Sequence, residues 1–217
     1  MSLHESNKLV TEEEQYLQSI SEFNDRGQVF INGTMNELMS DFSAKQFLDA
    51  NESSIKLGRN YTTIVIDSLG GSIITLQRLV YCMHTFRPNV EGFKYIGYAA
   101  VQASSAAFDL LQHCDWRVAH PGTFFHAHYG TISMSNYDQA MLYENSSKAL
   151  KYQKRRVESV LDLYEKRSNL SRLQLHNLCK ADTKFTAKEA LEFGFIDEII
   201  HVAPAKVPDR PNFSLHD

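Results

Sequence analysis

Alternation of apolar strands with amphipathic helices marks this 217-residue chain as an α/β domain. The clearest strand is Thr62-Thr63-Ile64-Val65-Ile66, β-branched and continuous, as required of a strand buried on both faces. The clearest helix lies between Met35 and Leu57, where Leu38, Phe42, Phe47, Leu48 and Ile55 recur near a helical period. No internal repeat and no linker interrupts the pattern, so one domain over residues 26–203 is expected.

The elements follow in order. Residues 1–25 are polar and carry the acidic run Glu12–Glu14, which predicts an N-terminal arm that is mobile or forms a short helix. Val29-Phe30-Ile31 reads as a short strand closed by the turn residues Asn32-Gly33. After the strand at 62–66 comes Asp67-Ser68-Leu69-Gly70-Gly71-Ser72, then a helix over Ile73–Phe86 stopped by Pro88. Phe93–Gly97 is a further strand, Ser105–His113 a helix, and Trp116–Ala119 and Phe124–Ala127 two more strands. A long helix follows, in which Tyr143, Leu150, Val157, Leu161 and Tyr164 form an apolar stripe among many charges. Ser171-x-x-Gln174 and Thr186-x-x-Glu189 are capping boxes that start two later helices. Residues 204–217 hold three prolines and are expected to be irregular.

Composition excludes several classes of function. With 43% hydrophobic and 22% charged residues the chain is an ordinary globular protein. A net charge of −4 argues against nucleic-acid binding, which needs a basic face. No apolar run reaches membrane-spanning length, and the N-terminus lacks the apolar core of a signal peptide. Cys82, Cys114 and Cys179 are widely spaced and out of metal-ligand register, which predicts buried free thiols in a reducing, cytoplasmic setting.

Chemistry concentrates between Gly70 and Asp182. Gly70-Gly71, between a strand and a helix, can turn with positive φ and present bare N–H groups; a tight structural turn would look the same. The lysine and glycine spacing of a phosphate loop is missing. Ser105, before Ala106-Ala107-Phe108, has the uncluttered approach of a nucleophile, and the Ala106 N–H would stand beside an oxyanion formed on it. An N-cap is the plain alternative for Ser105, Ser104 is the competing nucleophile, and alignment by glycine alone would put Val101 there. His120, His126 and His128 are candidate bases, with 126 and 128 on one strand face. His128 has the stronger claim because it ends a strand where a loop begins. Zinc on His126 and His128 is set aside because no acidic or cysteine ligand stands at metal spacing, so no cofactor is expected. Asp182 and Asp197 are both able to orient an imidazole, and spacing does not choose between them.

These segments resemble the proteolytic subunit of the Clp protease (ClpP) and its phage-type relatives over about residues 26–202. Ser68-Leu69-Gly70-Gly71-Ser72 is similar to the family's Ser-Pro-Gly-Gly-Ser oxyanion loop, and Ala103–Ala107 to its nucleophile segment. Phe124–His128 resembles the strand that ends in its catalytic histidine, and Asp182–Ala190 its segment of Asp, Phe, Ser/Thr, Ala, x, Glu, Ala. Leu69 stands in the usual proline position, Val101-Gln102 disturb the small-residue approach, and His126 departs from the pattern.

The resemblance implies a crotonase/ClpP-like fold of repeated β-β-α units with a protruding handle helix near 138–167. It implies Ser105 as nucleophile, His128 as general base, Asp182 as orienter, and the Gly71 and Ala106 N–H groups as the oxyanion hole. It further implies a serine endopeptidase acting on polypeptides inside a homo-oligomeric chamber of two stacked rings of seven, fed in some members by an unfoldase ATPase. Two other readings compete: an inactive ring subunit or scaffold of the same fold, and a crotonase-type acyl-CoA enzyme that holds an oxyanion without needing Ser105.

Overall fold

A computed structural model describes residues 11–130, 143 and 146–200. Helix α1 (Glu12–Asn24) opens with a capping box in which Thr11 and Glu14 exchange side-chain and backbone bonds. Of the two forms expected for the arm, this stretch takes the helical one. It buries Ile20 and stacks Phe23 on Phe30 at 4.0 Å, so residues 12–24 pack on the domain.

The chain then alternates β1 (Gln28–Met35), α2 (Glu37–Lys56), β2 (Tyr61–Gly71), α3 (Ile73–Thr85), β3 (Lys94–Ser104) and α4 (Ala106–Gln112). Two short strands follow, β4 (Trp116–Ala119) and β5 (Phe124–Ala127). The rest is α5 (Ser146–Glu165), α6 (Arg172–Lys180), β6 (Thr183–Thr186), α7 (Ala187–Glu192) and β7 (Glu198–Ile199). Both predicted capping boxes are present, at the starts of α6 and α7.

The sheet runs β1-β2-β3-β4-β7 with every neighbouring pair parallel. Off this path, β5 pairs parallel with β3 and antiparallel with β6. Three strands are longer than their apolar runs: β1 passes through Asn32-Gly33, β2 reaches Gly71 and β3 reaches Ser104. Each extension is rich in small or polar residues, yet its backbone still pairs and Met35, Ala99 and Ala103 within these stretches are buried in the core. Register breaks divide the long strands. β2 shifts between Ile66 and Ser68, while β3 pairs β4 through residues 96–99 and β5 through 102–104. β3 thus serves two partners in turn, and where repeated β-β-α units are expected the chain shows β-α alternation through α4.

Phe108 of α4 is fully buried at the centre of an aromatic cluster. Its ring centroid lies 5.0–5.9 Å from those of Phe125, Tyr164, Phe185 and Phe195, which joins α4, β5, α5 and β6. The stripe of the long helix is divided. Leu161 and Tyr164 are buried against the domain, Val157 is half-buried, and Leu150 and Tyr143 are exposed. Residues 138–142 and 144–145 of the expected handle, and the tail 204–217, lie outside the described residues. The three cysteines are buried and unpaired, and burial pushes the thiols of Cys114 and Cys179 up to about 12. Among the described residues no helix is long and apolar enough to cross a membrane.

Candidate active site

Sheet pairing brings the candidate residues together. Ser104 is in parallel register with His126, and the Ser105 N–H donates to the His126 carbonyl at 2.9 Å. On the other edge of β5, Ala127 faces Thr183 in antiparallel register, so the next step of that ladder sets His128 opposite Asp182. Side chains between about twenty and eighty positions apart in sequence thus meet at the adjacent ends of β3, β5 and β6.

Ser105 Oγ lies 2.7 Å from His128 Nε2. His128 Nδ1 lies 3.1 Å from Asp182 Oδ1. Ser105 holds the N-cap position of α4 but makes no side-chain cap bond, so its hydroxyl is not used in capping. Its backbone, at φ 55° and ψ −128°, is a sharp strand-to-helix elbow that a non-glycine residue adopts only under constraint. Asp182, at φ 54°, is the other non-glycine residue with positive φ among those described. Both strained positions belong to one site. Ser104 ends β3, and Val101 stands within that strand with its side chain exposed.

The glycine pair is required by close approach. A Cβ on Gly70 (φ 87°) would lie 2.5 Å from the Ser104 carbonyl oxygen and 2.9 Å from the Ala106 nitrogen. One on Gly71 (φ 145°) would lie 2.5 Å from the Met35 carbonyl oxygen. Met35 pairs with Gly71, and the Met35 carbonyl accepts from the Ser72 N–H. In a parallel ladder that pattern turns the Gly71 N–H to the edge away from β1, the side of β3 and α4.

Electrostatics favour a neutral imidazole. Burial, helped by the neighbouring His126 ring, holds the His128 pKa below its ordinary 6.5 against the opposing pull of Asp182. The Asp182 carboxyl is held below its ordinary value, first by the hydrogen bond from His126. His126 Nε2 lies 2.8 Å from Asp182 Oδ1, and its ring stacks on that of His128 with centroids 4.4 Å apart. His126 therefore touches the Asp182 carboxylate as His128 does, a contact that sequence reasoning missed. The shared strand face of 126 and 128 was the available signal.

The other candidates have separate partners. Asp197 is bound through both oxygens by Arg117, Nη2 to Oδ1 at 2.6 Å and Nε to Oδ2 at 3.0 Å. His120 Nδ1 accepts from the Gly122 N–H in the turn between β4 and β5. The carboxylate whose absence argued against a metal on His126 and His128 is supplied across the sheet by Asp182.

The Clp protease family model matches residues 11–203. This chain belongs to the Clp protease family. No curated protein matches it at a significant level. The match covers the whole sheet and all the residues of the site, and it begins at the cap of α1. Membership accords with the mixed α/β architecture and identifies a ClpP-like peptidase.

Proposed function

We propose that this member of the Clp protease family is a serine endopeptidase that works through Ser105, His128 and Asp182. The observation that carries the reading is the 2.7 Å contact of Ser105 Oγ with His128 Nε2 at a strained elbow. With its proton on Nδ1, facing Asp182, His128 offers the Nε2 lone pair to the serine hydroxyl. Ser105 attacks the peptide carbonyl as His128 accepts its proton, then returns it to the leaving amine. The N–H groups of Gly71 and Ala106 receive the developing oxyanion. Water, activated by the same imidazole, hydrolyses the acyl-enzyme.

The substrates are polypeptides, and the working form is a chamber built from rings of this chain, with an unfoldase ATPase as a candidate feeder. Exposed Leu150 of α5 supports a role in ring-to-ring contact. Replacing Leu150 by Asp is then expected to halve the particle mass in sedimentation.

The central test is labelling by a fluorophosphonate probe together with hydrolysis of unstructured peptides. Labelling and hydrolysis are expected in wild type and Ser104→Ala and lost in Ser105→Ala. A folded wild type that neither labels nor cleaves would favour an inactive ring subunit. Labelling that survives Ser105→Ala would remove the proposed nucleophile.

A further inference from the structure

His126, His128 and Asp182 present one ligand atom each within 4.8 Å of one another. The carboxylate oxygen is already 2.8 Å from His126 Nε2 and 3.1 Å from His128 Nδ1. A tetrahedral ion with bonds of about 2.0–2.1 Å needs its ligand atoms roughly 3.4 Å apart, so small side-chain movements suffice. The two rings lie nearly parallel, 23° apart, at the end of β5, and the carboxylate comes from the residue just before the paired strand β6. Asp182 has a side chain 67% exposed, which leaves room for water as a fourth ligand.

We propose that these three side chains form a binding site for a zinc-like divalent ion, whose occupation reversibly switches the serine off. Two imidazoles and one carboxylate suit zinc and exclude magnesium and calcium, which take all-oxygen sets. The ion would bind the face of His128 that otherwise meets Asp182. It takes the Nδ1 lone pair, so the ring's single proton moves from Nδ1 to Nε2 and none is released. Nε2 then has no lone pair for the hydroxyl of Ser105, and the nucleophile stays protonated. The switching half rests on the serine-peptidase reading; metal binding does not.

Calorimetric titration of the full chain with zinc chloride tests the binding half without reference to activity. One ion per subunit is expected, with affinity at least about tenfold weaker in both His126→Ala and Asp182→Asn. Ser105→Ala should bind as wild type does, and excess magnesium should not compete. Absence of saturable binding, or equal affinity in wild type and both ligand variants, overturns the site. In the metal-free wild type, fluorophosphonate labelling is expected to fall with the calorimetric midpoint and recover with chelator. Labelling that persists with the site saturated overturns the switch. Failure of the metal-free protein to label strikes the peptidase reading and the switch that rests on it, while the titration still decides the metal site.

Discussion

Ser105 carries an energetic cost in its own backbone. A φ of 55° with ψ −128° penalises a residue that has a Cβ, by about 1–3 kcal/mol, and glycine escapes the penalty. Ser105→Gly should therefore be more stable than Ser105→Ala by about 1 kcal/mol in urea unfolding; equal midpoints would show that the elbow is unstrained. The same residue scale governs the pH profile. His128 must be neutral to accept a proton, and its pKa is held below 6.5, so the acid limb of probe labelling should lie below pH 6.5. A limb centred above that value would contradict the local electrostatics. Serine and histidine were legible as candidates from their small neighbours and strand-end position. The choice of Ser105 over Ser104 on geometry required the side-chain direction, which the residue types alone do not specify.

At the scale of elements, α4 is tied to the long helix α5 by a buried polar pair. The Tyr164 hydroxyl donates to Asp109 Oδ1 at 2.5 Å, and both residues are buried beside the Phe108 cluster. Burial raises the Asp109 pKa to about 6 from an ordinary 3.8, outweighing the hydrogen bond from Tyr164. The native state therefore binds a proton more tightly than the unfolded chain does. Its contribution to stability is largest below pH 3.8 and is lost as pH rises through about 6. Asp109→Asn keeps an acceptor for Tyr164 and removes the titration, so relative to wild type it should gain roughly 3 kcal/mol across that window. Thermal unfolding at a series of pH values checks this, and parallel curves for the two proteins would refute it. Phe108 supports the same junction from the apolar side. Phe108→Ala should cost about 3–5 kcal/mol in chemical unfolding, and a loss below about 1 kcal/mol would mean the cluster adapts easily.

Across the whole molecule, the C-terminal segment is fastened to the sheet through Asp197. Its carboxylate accepts from Arg117 Nε and Nη2 and from the Arg117 backbone N–H, while Arg117 Nη1 donates to Gln112 and to the Arg167 carbonyl. The Arg117 side chain is only 7% exposed, so removing its anion leaves a nearly buried charge uncompensated. Asp197→Ala is expected to destabilise the fold by about 3–5 kcal/mol. Asp182→Ala, at a side chain 67% exposed, should destabilise the fold less than Asp197→Ala does. A reversal of that order would mean the two carboxylates had been given each other's roles.

Strands and helices with a strong apolar period were readable directly: the run at 62–66, the helix after Ser72, the short strands 116–119 and 124–127, and both capping boxes. Local backbone preference and side-chain polarity act over a few residues, and a linear sequence records them. The extensions of β2 and β3 were not legible, because Ser68, Gly70, Gly71, Ala103 and Ser104 carry no alternation of large apolar residues. Nor could spacing separate Asp182 from Asp197, or foresee that His126 would reach the carboxylate that serves His128. Those contacts depend on which strand edges pair and in what register, β3 with β5 and β5 with β6. Pairing joins residues far apart in sequence, and its register is settled by which side chains of the whole sheet are buried in its two apolar clusters.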